Sequence, residues 1–91
     1  MIDVVLGAPL RIRIIMALWQ YGEINVTELA NRLKANYKLL AEHIQLLSKY
    51  GIVEEKRIGR ARLVKLRKEE FIAALAQALV EAEEALSNRL G

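Results

Sequence analysis

The chain has 91 residues, of which 54% are hydrophobic and 27% charged, and its formal net charge is +3. This size and balance exclude a second domain and a largely disordered chain, and they favour one ordered, helix-rich unit. With no cysteine, one histidine and no long apolar stretch, we find no basis for a disulfide, a metal centre or a membrane span, and we expect a soluble, cytoplasmic protein without a cofactor.

The first helix is predicted over residues 9–20. Pro9 suits the first turn of a helix, because a backbone N–H at that position has no hydrogen-bond partner within the helix. Gly22 can adopt the positive φ that often ends a helix. The spacing of apolar residues turns one side of this helix inward. The inward positions are Leu10, Ile14, Leu18 and either Met16 or Ala17. Trp19 and Tyr21 are predicted to seal the core beside them.

A helix-turn-helix is predicted in the middle of the chain. Residues 25–28 have the spacing of a capping box, in which Asn25 accepts a backbone N–H and Glu28 reaches back to the Asn25 N–H. The predicted segments are a helix from Val26 to about Leu33, a break over residues 34–36 with Asn36 as the next cap, and a helix from Tyr37 to Tyr50. Two helices joined by three residues are typical of a helix-turn-helix.

The helix over 37–50 has the pattern of a recognition helix. Leu40, Ile44 and Leu47 are spaced for one buried stripe, which leaves a small, polar surface on the outside. The candidate DNA-contacting residues here are Lys34, Asn36, Tyr37, Lys38, Ala41, Glu42 and Gln45. Lysine and glutamine hydrogen-bond base edges, alanine allows approach to a thymine methyl group, and tyrosine reaches a phosphate or sugar. Glu42 either accepts from a cytosine amino group or pairs with Lys38.

A β-hairpin is predicted after Gly51. Residues 52–57 and 60–66 alternate as two short strands around Gly59, which can take the positive φ of a tight turn. Val64 and Leu66 are expected to enter the core, while the tip of the hairpin remains cationic. We call this tip, residues 56–62, the wing.

Charge is unevenly distributed along the chain. Residues 1–68 carry a net charge of +7 and residues 69–91 a net charge of −4, and seven of the fourteen basic side chains lie within residues 56–68. A solvated surface would explain an isolated basic run. Beside a recognition helix, however, Arg57, Arg60 and Arg62 are expected to reach flanking phosphates or a minor groove.

A long helix is predicted from Lys68 to Leu90, where alanine, leucine and glutamate dominate. Its apolar residues recur at alternating steps of three and four, as in a coiled-coil seam. The residues predicted to form a dimer interface are Phe71, Ile72, Leu75, Leu79, Ala82, Leu86 and Leu90. Docking of this helix on its own domain is the monomeric alternative, but pairing with a second copy is the simpler use of the seam.

The chain lacks a glycine-rich phosphate loop, a nucleophile with a histidine partner and an evident carboxylate pair, so it is not predicted to be an enzyme. A DNA-binding transcriptional regulator is the leading interpretation. Two alternatives are a sequence-tolerant, chromatin-like DNA-binding protein and a winged helix that binds other proteins. Competition with random DNA separates the first two, and absence of DNA binding at low salt would favour the third.

The order of these elements resembles a winged helix-turn-helix domain of the ArsR-like family of bacterial and archaeal transcriptional regulators. The stretches that support the resemblance are residues 9–15, 25–30, 42–47, 50–53 and 59–60. It implies a homodimer that binds an operator sequence-specifically in double-stranded DNA. In this arrangement residues 1–68 are the DNA-binding domain, with the helix 37–50 in the major groove, and residues 69–91 are the dimerisation helix.

The chain departs from this family at two places. Metal-sensing relatives have cysteines where this chain has residues 25–28, so metal sensing is not expected. Relatives often have a small hydroxyl residue and a basic residue where Ala41 and Glu42 stand. His43 occupies a position where the family commonly has histidine, and we interpret it as a partly buried packing residue because one imidazole does not form a metal site.

Overall fold

The computed structural model describes residues 1–91 as five helices and three strands. The helices are α1 (Ile2–Val5), α2 (Pro9–Tyr21), α3 (Val26–Leu33), α4 (Tyr37–Lys49) and α5 (Glu70–Leu90). The strands β1 (Ile24–Asn25), β2 (Val53–Ile58) and β3 (Ala61–Leu66) form one antiparallel sheet in the order β1-β3-β2. The mainly α fold with a small β-hairpin is confirmed, and α1 is an element that the sequence interpretation missed. None of the helices has the length and apolar character needed to cross a membrane.

The core consists of buried side chains from all helices and strands, and α2 lies at its centre. Four α2 residues are buried, namely Ile14, Ile15, Ala17 and Leu18. Trp19 and Tyr21, by contrast, are 41% and 42% exposed, so the prediction that they seal the core is wrong. Trp19 lies outside the buried stripe and Tyr21 is the last residue of the helix. The Tyr21 ring instead lies 4.4 Å from the Arg32 guanidinium, a cation–π contact on the surface.

Asparagine caps position the helix-turn-helix. The Asn25 Oδ1 accepts the Thr27 N–H at 2.8 Å, and the Asn36 Oδ1 accepts the Leu39 N–H at 3.0 Å. The predicted second half of the capping box is wrong, because the Glu28 carboxylate pairs with Arg32 at 3.0 Å instead of reaching back to the Asn25 N–H. Between the caps, Lys34 adopts a left-handed conformation with φ 53° and ψ 44°, which ends α3 and directs the chain into α4.

The predicted hairpin is present, and Val64 enters the core as expected, whereas Leu66 is only half-buried and packs against the core. Val53 pairs with Leu66 at its base and Ile58 pairs with Ala61 at its tip, where Gly59 has a φ of 59°. Val53 and Val64 are fully buried, because they lie on the face of the sheet that covers the helices. β1 pairs with the other edge of β3 and fixes the hairpin against the start of α3. The hairpin is therefore a rigid extension of the core rather than a free loop.

The first half of α5 belongs to the core of its own chain. Ile72 and Ala76 are completely buried and pack with the α2 residues in the same hydrophobic cluster. The assignment of Ile72 to a dimer interface is therefore wrong, since this side chain has no surface left for a second subunit. The sequence did not distinguish the two roles because docking on a domain and pairing with another helix require the same apolar spacing.

The second half of α5 extends beyond the domain. All residues from 81 to 90 are exposed, including Leu86 at 55% and Leu90 at 93%. Of the remaining predicted interface residues, Phe71 and Ala82 are exposed, and Leu75 and Leu79 are half-buried. Leu79 packs against the core of its own chain, so only part of its side chain is left for a second subunit. This projecting segment explains the elongated shape of the molecule, which measures 44 × 27 × 21 Å.

Arg11 connects three helices. Its guanidinium donates to the Val4 carbonyl oxygen at 2.8 Å, to the Val5 carbonyl oxygen at 3.2 Å and to the His43 Nδ1 at 2.9 Å. Because an arginine donates only, the His43 Nδ1 accepts this bond. Arg11 thereby satisfies carbonyl groups at the end of α1 and joins α2 to α4. The interpretation of His43 as a half-buried packing residue agrees with this contact.

Candidate nucleic-acid interface

The exposed side of α4 is polar and lies next to the hairpin. Leu40, Ile44 and Leu47 are completely buried, as the spacing predicts. The opposite side of α4 exposes Lys38, Glu42, Gln45 and Lys49, while Ala41 is half-buried and Tyr37 is 45% exposed. The four long polar side chains are therefore available to one external partner.

The structure brings this helix side and the wing together. A cleft with a volume of about 390 Å³ separates α4 from the hairpin, and its lining residues are Gln45, Glu55, Lys56, Arg57 and Arg62. A neighbouring depression shares Gln45 and Glu55 and extends along α4 to Lys49. Gln45 from the helix and two arginines from the hairpin thus border one continuous surface, which we call the helix–wing surface.

Four of the seven cations in residues 56–68 form ion pairs. The distances are 3.2 Å for Lys56–Glu23, 2.7 Å for Arg62–Glu55, 3.3 Å for Lys65–Glu54 and 3.8 Å for Arg67–Glu69. The acidic partners lie before or after this basic stretch in sequence, and three of them are brought to it by the tertiary fold. The stretch is consequently less positive than its sequence implies.

Arg62 is the most constrained of the predicted wing contacts. Partial burial lowers the pKa of its guanidinium, but interactions with Tyr37 and Glu55 outweigh burial, so the net pKa is raised above its ordinary value. The side chain is only 23% exposed and points along the cleft toward α4. Arg62 therefore lines the cleft from the hairpin side, and its positive charge is paired with the Glu55 carboxylate.

Arg57 and Arg60 differ from Arg62 because both are exposed and neither forms an ion pair. Arg57 lies opposite Arg62 in the strand register and borders the cleft, and Arg60 follows Gly59 in the turn. Lys34 and Lys38 are likewise exposed without an acidic partner. These four side chains are the free cations among the predicted DNA contacts.

Two further predicted DNA contacts are not cations: Asn36 caps a helix, and Glu42 is an acid without an ion pair. The Asn36 side chain caps α4, so its oxygen is already used. Glu42 is exposed and forms no ion pair, which means that the alternative pairing with Lys38 is absent. Its carboxylate thus places one uncompensated negative charge on the polar side of α4.

The sequence interpretation gave no role to two exposed apolar residues, one in α4 and one in the wing. Leu39 in the first turn of α4 is 47% exposed, and Ile58 beside the turn of the wing is 59% exposed. In the first turn of α4, the sequence pattern assigned Tyr37 and Lys38 to DNA contact and Leu40 to the buried stripe. Leu39 was the one residue of this turn with neither assignment. Its spacing from the buried Leu40 already places it on a different side of the helix.

The fold, in which α2 packs against the helix-turn-helix of α3 and α4 and a β-hairpin lies beside α4, defines a winged helix-turn-helix protein. The chain belongs to the HVO_A0114 family, whose sequence profile matches residues 8–73. This match extends from the start of α2 into the first turns of α5 and includes the whole helix–wing surface. A search of curated proteins gave no match.

Solved structures of winged-helix proteins are similar to this chain. HlyU from Vibrio cholerae has a TM-score of 0.80 at 21% identity, with 89% of this chain and 86% of that chain covered. A MarR family transcriptional regulator from Silicibacter pomeroyi has a TM-score of 0.77 at 22% identity, with 97% and 63% covered. The AntR antimony-specific transcriptional repressor has a TM-score of 0.77 at 24% identity, with 91% and 75% covered. At these identities the similarity establishes the fold.

Proposed function

We propose that this chain is a transcriptional regulator that binds double-stranded DNA sequence-specifically as a homodimer. α4 enters the major groove, and the wing contacts the DNA backbone or an adjacent minor groove. The observation that supports this function most directly is the common cleft formed by Gln45 of α4 and the hairpin arginines. Base-edge donors and backbone-binding cations must lie on one surface to bind one duplex.

The charge on the helix–wing surface supports the same function. Lys34, Lys38, Arg57 and Arg60 are exposed and unpaired, whereas Glu42 is the one free acid on this side of α4. Cations that are not neutralised within the chain can replace the counterions of DNA phosphates. Because Arg62 is paired with Glu55, it contributes less to the replacement of counterions. We therefore assign backbone contact mainly to Arg57 and Arg60.

A homodimer would give the exposed half of α5 a partner. Leu86 and Leu90 are exposed apolar side chains on a helix segment that nothing in the chain covers. Together with Leu75, Leu79 and Ala82 they continue the coiled-coil seam. A twofold dimer would place its two α4 helices in successive major grooves, roughly 34 Å apart, and would select a pseudo-palindromic site.

The similar solved structures include proteins described as transcriptional regulators and a repressor, which supports the regulatory role. Assignment to the ArsR-like group in particular rests on the sequence resemblance. We do not extend the antimony response to this chain, because positions 25–28 contain no cysteine to serve as a ligand. The proposed regulator acts through its DNA contacts and its dimer, and we assign no effector to it.

The test is a salt titration of DNA binding with the purified chain. A variant with Arg57→Ala and Arg60→Ala should reduce the slope of log K against log salt by about 3.6, since the dimer loses four phosphate contacts and each lost contact removes about 0.9. Arg89→Ala in the last turn of α5 is the control, because it removes a positive charge outside the helix–wing surface. The wild type should also prefer one sequence over random competitor DNA.

Other outcomes select the alternatives. Equal binding to all sequences would favour the sequence-tolerant DNA-binding protein. No retention on DNA at low salt would contradict the proposed function and favour the protein-interaction module. An unchanged slope in the double variant would remove the wing from the interface.

A further inference from the structure

Leu39 is an exposed leucine in the helix turn that the proposed function places nearest to the bases. It is 47% exposed, whereas the adjacent Leu40 is completely buried. Its neighbours on the exposed side of α4, Lys38 and Glu42, are charged. Polar contacts to bases or phosphates therefore leave this apolar side chain without a function.

The cap of α4 holds Leu39 in a fixed position. The Asn36 Oδ1 accepts the Leu39 N–H at 3.0 Å, and the Asn36 carbonyl oxygen accepts the Leu40 N–H at 2.9 Å. These bonds order the first turn of the helix, and a leucine in a helix has few allowed rotamers. The side chain is thus presented at the N-terminal end of α4, the end from which recognition helices contact base edges.

We propose that Leu39 recognises the 5-methyl group of thymine in the major groove, an inference that rests on the DNA-binding function proposed above. The thymine methyl is the apolar feature of the major-groove edge, and apolar side chains select it. Ala41, for which the sequence suggested this contact, is half-buried and has a single methyl group. Leu39 is longer and more exposed, so it is the stronger candidate for discriminating thymine.

The experiment replaces thymine by deoxyuridine, which retains base pairing and lacks only the methyl group. The preferred duplex is first selected from a random DNA pool by the wild-type chain, and each of its thymines is then replaced in turn. One position in each half-site should weaken wild-type binding by about fourfold, the effect expected for one buried methyl group. The Leu39→Ala variant should bind both duplexes equally.

Ile2→Ala is the matched control, because Ile2 in α1 is an exposed apolar side chain outside the helix–wing surface. It should leave the ratio between thymine and deoxyuridine duplexes unchanged. Thermal unfolding of both variants should match the wild type, since neither side chain is in the core.

Each outcome bears on one proposal or both. Sequence preference without any sensitivity to deoxyuridine, or a sensitivity that persists in Leu39→Ala, would overturn the role of Leu39 and leave DNA binding intact. DNA binding without any sequence preference would overturn the role of Leu39 and the sequence specificity of the proposed function, and would leave only general DNA binding. Absence of DNA binding in the wild type would overturn the proposed function and this inference with it.

Discussion

Single polar residues connect helices in this small domain, and Arg11 is the clearest case. It donates to two carbonyl oxygens at the end of α1 and to His43 on α4, so one guanidinium orients three helices. Hydrogen bonds of a charged group to partly buried acceptors stabilise more than neutral surface bonds. The position of α4, and hence of the helix–wing surface, depends in part on this residue.

We expect Arg11→Ala to lower the free energy of unfolding by about 1 to 3 kcal/mol, because several acceptors lose their donor. Urea denaturation followed by circular dichroism measures this loss. Arg13→Ala is the control, since Arg13 donates only one bond, to the Leu33 carbonyl oxygen at an exposed site, and should cost less than about 1 kcal/mol. Equal losses in both variants would argue against a special role for Arg11.

At the scale of elements, the hairpin combines stability and charge. Its alternation places Val53 and Val64 in the core and Arg57 and Arg62 further out on the same face, beside α4. Glu55 lies on this face as well and neutralises Arg62 at 2.7 Å. The carboxylate thus limits the positive potential of the cleft.

Glu55→Gln should therefore strengthen DNA binding and steepen its salt dependence by about two for the proposed dimer, because the Arg62 of each subunit becomes free to bind a phosphate. The cost to stability should stay below about 1 kcal/mol, as for other partly exposed ion pairs. Salt titration of DNA binding by the wild type and the variant measures both the affinity and its salt dependence.

Glu54→Gln is the control for charge alone. Glu54 precedes Glu55 in β2, points to the opposite face of the hairpin and pairs with Lys65. Glu54→Gln changes the net charge by the same amount as Glu55→Gln and should have a smaller effect on DNA affinity. If the two variants behaved alike, the net charge rather than the cleft would determine affinity.

At the scale of the whole molecule, α5 has two parts with different roles. Its first half completes the core through Ile72 and Ala76, whereas residues 81–90 extend into solvent. One hydrophobic core therefore includes residues from both predicted segments, 1–68 and 69–91. A small domain gains stability when such an exposed apolar segment is covered by a second subunit.

Substitutions in the two halves should separate folding from association. Leu86→Glu should convert the proposed dimer to a folded monomer, because it places a charge in the proposed seam. Ile72→Ala should instead lower the free energy of unfolding by about 2 to 5 kcal/mol, as expected for a truncated core residue. Sedimentation and thermal unfolding distinguish the two effects.

Asn88→Glu adds the same charge on the opposite side of this exposed helix and should leave association unchanged. A wild-type chain that sediments as a monomer at every concentration would contradict the proposed dimer. Dissociation by both Leu86→Glu and Asn88→Glu would show that charge alone, rather than the seam, governs association.

Local patterns in the sequence determined the elements of this protein. Apolar spacing located α2, α3, α4 and the hairpin, and the caps Asn25 and Asn36 followed from side-chain chemistry within a few residues. Such features depend on neighbours along the chain, which the sequence contains. The buried stripe of α4 and the burial of Val64 in β3 were predictable for the same reason.

Only the tertiary structure decided which side chains pair and which are covered. The ion pair of Arg62 with Glu55 arises between paired strands, the contact of Arg11 with His43 joins residues 32 positions apart, and the burial of Ile72 requires α2 as a neighbour. Each depends on the distance in space between residues that are separated in sequence. The spacing of apolar residues shows that one side of a helix must be buried, but the tertiary structure determines which residues bury it.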